Sequence, residues 1–189
     1  MTQDTAPTTG TLATALAHAA GLLAQDPSLA EAQAREILRV MPGHPSAILL
    51  LGAALRRQGG AGAALEALEP VIRARPDWPP VHLEAGLALA DLGLGRAAIA
   101  ALSRAVTLDA ELGLAWGALA DQLTMAGDET GAQAARAQQI RTAAGDPELL
   151  EAAAALCDNQ LPVAERLLKP YLARHPTNPA AIRMLAEVA

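Results

Sequence analysis

Four histidines and one cysteine are the residues of this 189-residue chain best suited to metal binding or nucleophilic catalysis. His18 and His82 lie on predicted helices in different parts of the chain, whereas His44 and His175 stand beside prolines in predicted loops. No two histidines have i, i+4 spacing, and no cysteine or acidic cluster joins them, so converging metal ligands are not expected. Cys157 ends a predicted helix with no histidine or basic residue nearby in sequence, which favours a buried, inert thiol over a nucleophile.

A glycine-rich run and a group of acids also have simpler explanations than chemistry. The run from Gly59 to Gly62 is followed by two alanines instead of the Lys-Ser pair of a phosphate-binding loop, which favours a turn. Asp146, Glu148 and Glu151 stand at the start of a predicted helix, where the helix dipole favours acids. The sequence therefore predicts no catalytic residue, no cofactor and no metal site.

Composition predicts an all-α chain. The sequence contains 47 alanines and 31 leucines, which are strong helix formers. Aromatic residues make up only 2% and phenylalanine is absent, whereas strands favour β-branched and aromatic residues. The net charge of −6 disfavours nucleic acid as a partner, because nucleic-acid binding needs a basic surface.

The N-terminus and the apolar segments indicate the cellular compartment in which the protein is expected. Residues 1–10 carry an acid and no base, and they lack the charged start and apolar stretch of a signal peptide. We expect these residues to be disordered. The most apolar segment, Ile48 to Leu55, spans eight residues, whereas a membrane helix needs about twenty. The single cysteine permits no internal disulfide. We therefore expect a cytoplasmic protein that does not insert into a membrane.

A period of 34 residues organises the chain. Two sets of small residues recur at this interval: Gly59, Gly93 and Gly127, and Ala30, Ala64, Ala98 and Ala132. Units therefore begin at Thr11, Pro45, Pro79 and Gly113. The residue pattern within each unit predicts a helix, a tight turn and a second helix. In the second unit, for example, Ile48, Leu51 and Leu55 share one helix face before the glycine turn.

These residues resemble the tetratricopeptide repeat (TPR) family. The second unit matches the family pattern of bulky and small positions with Ile48, Leu51, Gly52, Leu55, Ala64, Leu68 and Pro76. The resemblance implies a right-handed α-solenoid of about five and a half helix–turn–helix repeats over residues 11–189. The expected units are 11–44, 45–78, 79–112, 113–144 and 145–178, with a half repeat at 179–189. Small residues at positions 8 and 20 of a unit would let paired helices approach closely.

The fourth and fifth units depart from the pattern. Arg136 and Gln139 stand where apolar residues are expected, so the second helix of the fourth unit, about Thr130 to Thr142, should pack weakly or shift register. The fifth unit begins 32 residues after Gly113, which predicts a local irregularity near residues 143–147. The unfinished last repeat should expose apolar side chains. We therefore expect a longer natural protein or another chain that covers this end, including self-association.

A closer resemblance is to the N-terminal TPR region of bacterial TPR-containing sulfotransferases. It rests on five runs: Gly145 to Ala152, Leu156 to Asn159, Ala164 to Leu168, Leu119 to Leu123 and Arg183 to Ala186. In those proteins the array precedes a catalytic domain that uses the sulfate donor PAPS. This chain carries no phosphate loop of that domain. The resemblance therefore implies a non-catalytic accessory region of a larger enzyme.

The TPR resemblance also implies a concave groove lined by the first helices of the units. The candidate partner-binding residues are Leu12, Leu49, Arg56, Arg57, Leu83, Leu87, Asp91, Asp121 and Met125. The Lys, Asn and Arg set with which some TPR proteins grip a chaperone's C-terminal carboxylate is missing. We expect a protein-interaction scaffold whose mainly apolar groove binds an apolar or amphipathic segment. The alternative is that these leucines pack against neighbouring helices or the protein's own continuation; a free-standing enzyme is not favoured.

Overall fold

The structure, a computed structural model, describes residues 11–144, 147–174 and 179–188. In these ranges all regular secondary structure is α-helical. The helices are α1 (Leu12–Gln25), α2 (Pro27–Val40), α3 (Pro45–Arg57), α4 (Ala61–Ala74), α5 (Pro79–Asp91), α6 (Gly95–Leu108), α7 (Gly113–Met125), α8 (Glu129–Ala144), α9 (Pro147–Cys157), α10 (Leu161–Arg174) and α11 (Pro179–Val188). Each helix packs against the next, so the chain forms five successive helix pairs followed by α11.

Local chemistry explains where several helices begin. Helices α3 and α5 start with Pro45 and Pro79, at a position where the missing N–H of proline needs no partner. Asp26 caps α2, since its Oδ1 accepts the N–H groups of Ser28 at 3.0 Å and Leu29 at 3.1 Å. The Ser28 hydroxyl and the Leu29 N–H hold the pKa of Asp26 below its usual value, because both stabilise the ionised carboxylate.

The turns within the helix pairs explain the recurrent glycines. Gly59, Gly93 and Gly127 have φ of +84°, +73° and +80°, in the left-handed region that glycine enters without steric cost. Each glycine directly follows the C-cap residue of a first helix, and the next residue's N–H bonds back to a carbonyl of that helix. Asn159, with φ of +57°, occupies the corresponding turn between α9 and α10.

The helices of the second and third pairs meet where glycine on one helix faces leucine on the other. A Cβ atom at Gly52 would lie 2.7 Å from Leu68 Cγ, and one at Gly86 would lie 2.6 Å from Leu102 Cγ. Both leucines are fully buried. The absence of a side chain at these glycines therefore sets the distance between the paired helices.

The fourth pair packs by a different arrangement. Gly113 and Gly117 on α7 face Thr142 and Gln139 on α8, and a Cβ at Gly117 would lie 2.5 Å from Gln139 Nε2. Arg136 is exposed beside the buried Ala135. The larger polar side chains of α8 thus fit against glycines of α7. This arrangement explains how a helix without a leucine face packs against α7.

Packing between successive pairs is uneven. Helix α4 contacts α5 extensively, and α6 contacts α7 extensively. In contrast, α8 contacts α9 over few of the described residues. One core cluster contains Leu102 and Leu119, and a separate cluster contains Leu149 and Leu168. The core is therefore divided near the α8–α9 junction. Gly145 and Asp146, where the irregularity is predicted, lie outside the described residues.

Several other predictions also fall outside what the structure describes. They concern the disorder of residues 1–10, the side chain of Cys157, the loop residue His175, and the uncovered surface at Ala189. Within α11, Ile182 is 49% exposed, while Leu185 packs against the core cluster that contains Leu149 and Leu168. In the described part of the chain, every helix is too short or too polar to cross a membrane.

Replacing Gly86 with alanine tests the close approach of α5 and α6. The new methyl group would overlap Leu102, and overpacking of this kind costs about 1–3 kcal/mol of unfolding free energy. The matched control is Gly21→Ala in the middle of α1, where a Cβ meets no atom within 4 Å and should stabilise the helix by about 0.5–1 kcal/mol. Urea unfolding followed by circular dichroism measures both. Equal stability of the two variants would contradict the packing explanation.

Candidate functional site

The first helices of successive pairs form one layer, because α1 contacts α3, α3 contacts α5 and α5 contacts α7. The predicted partner-binding residues all lie on these four helices or at their ends. Their exposure differs widely along the layer. Leu83 is only 7% exposed, whereas Met125 is 79% exposed and Leu114, on the same helix, is 76% exposed. The apolar surface open to a partner is therefore concentrated on α7.

The other predicted leucines are partly covered. Leu83 belongs to the core cluster around Leu102, and Leu87 packs against that cluster from its edge. Leu49 packs against the cluster of Leu68 and its neighbours. These three side chains contribute mainly to contacts between helices, which was the alternative left open for them.

Leu12 lies at the other end of the layer. It lines a cavity of about 310 Å³ between α1 and α2. The other lining residues are Ala15, Gln33, Glu36, Ile37, Val40 and Met41. Leu12 is half-buried, and Val40 is largely exposed. This cavity is separated from α7 by the intervening helix pairs.

Arg56 is engaged by two carboxylates of the next repeat. Its Nε lies 3.1 Å from Glu84 Oε2, and its Nη1 lies 3.4 Å from Asp91 Oδ2. The side chains of Arg56 and Glu84 are only 15% and 17% exposed, so this ion pair is largely shielded from water. Arg56 and Asp91 were predicted from the sequence, whereas Glu84 was not. A basic residue and an acidic residue 28 apart on adjacent first helices are the signal that would have revealed it.

Arg57 and Gln58 join the first two repeats. Arg57 Nη1 donates to the carbonyl oxygen of Leu23 at 2.8 Å. Gln58 Nε2 donates to Glu31 Oε2 at 2.7 Å. This bond, together with Arg35, lowers the pKa of Glu31. Side chains at the end of α3 therefore bridge to the repeat before it and the repeat after it.

The junction between α5 and α7 lacks such a bridge. Ala90 and Met125 occupy the repeat positions held by Arg56 and Asp91 one unit earlier. No side-chain hydrogen bond or ion pair between α5 and α7 is found in the described residues. A cavity of about 350 Å³ opens there instead, and its lining is Ala90, Gly93, Gly95, Arg96, Gln122, Met125 and Ala126. Arg96 and Gln122 were not identified from the sequence.

Asp121 lies one helical turn before Met125 on α7 and is exposed. Among the described residues it forms no ion pair and no side-chain hydrogen bond. Arg136 is the cation that contacts the same end of α7, since its Nη2 donates to Thr124 Oγ1 at 3.2 Å. The exposed face of α7 therefore combines two large apolar side chains with a free carboxylate.

The residues first considered for chemistry are dispersed. His44 Nδ1 accepts the N–H of Ala47 at 3.4 Å, and His82 Nε2 lies 2.9 Å from the Pro76 carbonyl oxygen. His18 is exposed on α1. Glu148 pairs with Arg174. In the described ranges, no three His, Cys, Asp or Glu side chains lie close enough together to hold a metal ion.

The fold is shared with solved structures of repeat proteins. The structure of TTC0263, a thermophilic TPR protein of Thermus thermophilus, matches with a TM-score of 0.64 at 17% identity, covering 92% of this chain and 97% of that one. This chain has the TPR fold. The TPR fold is also seen in a tetratricopeptide repeat protein of Parabacteroides merdae, with a TM-score of 0.55 at 14% identity, covering 92% of this chain and 70% of that one.

A fragment of MamA from Desulfovibrio magneticus RS-1 matches with a TM-score of 0.60 at 22% identity, covering 71% of this chain and 77% of that one. No family model matches the sequence, and no curated protein matches it significantly. The prediction of an α-solenoid of TPR helix pairs is thus confirmed. At these identities the likeness concerns the fold, and the groove has to be judged from its own residues.

Replacing Glu84 with glutamine tests the shielded bridge between repeats. The change removes the charge opposite Arg56 with little change of shape, and we expect the unfolding free energy to fall by about 1–2 kcal/mol. Glu69→Gln in the exposed Arg73–Glu69 pair of α4 is the control, with an expected loss below about 0.5 kcal/mol. Urea unfolding of both variants gives the comparison. A similar, small effect at the two sites would show that the Arg56 bridge contributes no more than a surface pair.

Proposed function

We propose that this chain is a non-catalytic TPR scaffold that binds a protein or peptide along the layer of first helices. The observation that carries the proposal is the exposed face of α7, where Leu114 and Met125 remain largely open to solvent and Met125 borders a cavity. Exposed large apolar side chains next to a depression are typical of protein-interaction sites. The ligand that suits this surface is an apolar or amphipathic segment.

The predicted residues contribute to this site in different ways. Asp121 and Met125 would contact the partner directly, and Leu87 and Asp91 would border the same part of the groove from α5. Arg56 and Arg57 hold adjacent repeats together within the layer. Leu83 and Leu49 support it from within, while Leu12 lies at the N-terminal cavity.

Site-specific photo-crosslinking in cells tests the proposal. A photoreactive residue placed at Leu114 or at Met125 should capture the same protein, because both positions share one helix face. The control is Arg73 on α4, an exposed residue of a second helix, where that product should be absent. A product of about twice 19.3 kDa would identify a second copy of this chain as the partner. Equal capture from Arg73, or no product from either α7 position, would contradict the proposal.

A second candidate is that the chain is the accessory TPR region of a larger sulfotransferase-type enzyme of bacteria. The runs in α7, α9, α10 and α11 that resemble those enzymes support it. In this case the array would position a substrate or partner for a catalytic domain, and the reaction would take place elsewhere in the protein. The partner of the α7 face would then include the protein's own continuation.

The mass of the natural gene product separates the two candidates. An antibody blot of the source cells should show a band several-fold above 19.3 kDa if a catalytic domain follows. A band near 19.3 kDa would exclude the sulfotransferase candidate and leave the free-standing scaffold.

A further inference from the structure

We infer that the partner of the α7 face is an amphipathic segment in which a basic residue is flanked by apolar residues. One apolar side chain would enter the cavity beside Met125, and the basic residue would pair with Asp121. This inference rests on the proposed function, because it assigns the chemistry of the ligand for the same groove. Three features of the structure carry it: the spacing of the exposed side chains, the open junction between α5 and α7, and the charge around it.

The spacing places an acid between two apolar contacts. Leu114, Asp121 and Met125 are separated by seven and four residues, so all three lie on one face of α7. Leu114 and Met125 are the two most exposed large apolar side chains among the described residues. A helix or extended segment lying along α7 would therefore meet an apolar, an acidic and a second apolar contact in that order.

The open junction provides room for an anchoring side chain. At the α1–α3 and α3–α5 junctions, Arg57 and Arg56 reach across between repeats. At the α5–α7 junction the corresponding positions hold Ala90 and Met125, and a cavity of about 350 Å³ takes the place of an arginine bridge. The cavity is walled mainly by alanine, glycine and methionine, with one cation, Arg96. An apolar side chain fits this lining, whereas a basic one would be repelled by Arg96.

The surrounding charge favours a basic residue next to the anchor. Residues 77–129 hold eight acids and two bases, so this segment carries a net charge of −6. Glu84 and Asp91 share Arg56, which leaves a surplus of negative charge on α5, and Asp121 has no ion partner in the described part of the chain. The bordering cations, Arg96 and Arg136, lie at the Met125 end of the face. The complementary position for a partner's lysine or arginine is therefore opposite Asp121.

Three fluorescent peptides of matched length, about 18 residues each, test this assignment on the full chain, since five helical turns would span the α7 face. The first is an amphipathic helix with leucine on one face and lysine on the other, the second replaces lysine with glutamate, and the third replaces leucine with serine. Fluorescence anisotropy should show binding of the Leu/Lys peptide, with at least about tenfold weaker binding of the other two. Raising the salt from about 50 mM to about 500 mM should weaken Leu/Lys binding, because the screening length falls.

Variants locate the binding on α7. Asp121→Asn should weaken Leu/Lys binding by about fivefold or more, and Met125→Ser should weaken it by a similar factor. The matched controls are Asp158→Asn, an exposed acid in the α9–α10 turn, and Leu29→Ser, an exposed apolar residue of α2; both should leave binding unchanged. All four side chains are exposed, so circular dichroism should show the same helix content throughout.

The outcomes separate this inference from the function on which it rests. If the Leu/Glu peptide binds as tightly as the Leu/Lys peptide and Met125→Ser weakens both, the assignment of a basic partner is wrong while the α7 groove stands. If binding of the Leu/Lys peptide is unaffected by Asp121→Asn, the proposed ion pair is wrong. If no peptide binds and photo-crosslinking at Met125 captures nothing, both the inference and the proposed function are wrong.

Discussion

The close approach of paired helices is the constraint on which this structure depends. At Gly52 and Gly86 the backbone of a first helix lies against the fully buried leucine of its partner, with no space for a side chain in between. Ala64 and Ala98 are fully buried on the opposite helices. Because these pairs are held at this short distance, consecutive pairs can stack and present their first helices as one layer. The candidate groove is a consequence of that layer.

The fourth repeat shows how the same constraint is met by other residues. Helix α8 has Arg136 and Gln139 at positions that are apolar in the earlier repeats, from which weak packing or a shifted register was predicted. The structure places glycines of α7 opposite polar side chains of α8. The first helix again supplies the glycines, now opposite polar side chains in place of leucine, so the paired helices still approach closely. Contact between the described residues of α8 and α9 is sparse.

Charge and shape change together along the layer of first helices. Between the second and third repeats, Arg56 pairs with two carboxylates and bridges the junction. Between the third and fourth repeats, alanine and methionine replace these partners, and the junction remains open. The same repeat positions therefore give stability at one junction and a potential binding cavity at the next. A repeat scaffold acquires a specific surface in this way without changing its fold.

The helices, their turns and the 34-residue register were predictable from the sequence because they depend on local chemistry. Periodic leucines, prolines at helix starts and glycines in left-handed turns act within a few residues of one another. The exposure of the predicted groove residues was not predictable in the same way, since Leu83 is buried while Met125 is open. The bridge from Arg56 to Glu84 joins residues 28 positions apart, and the cavity beside Met125 depends on side chains missing from two neighbouring repeats. Such features follow from how repeats stack on one another, so only the tertiary structure decided them.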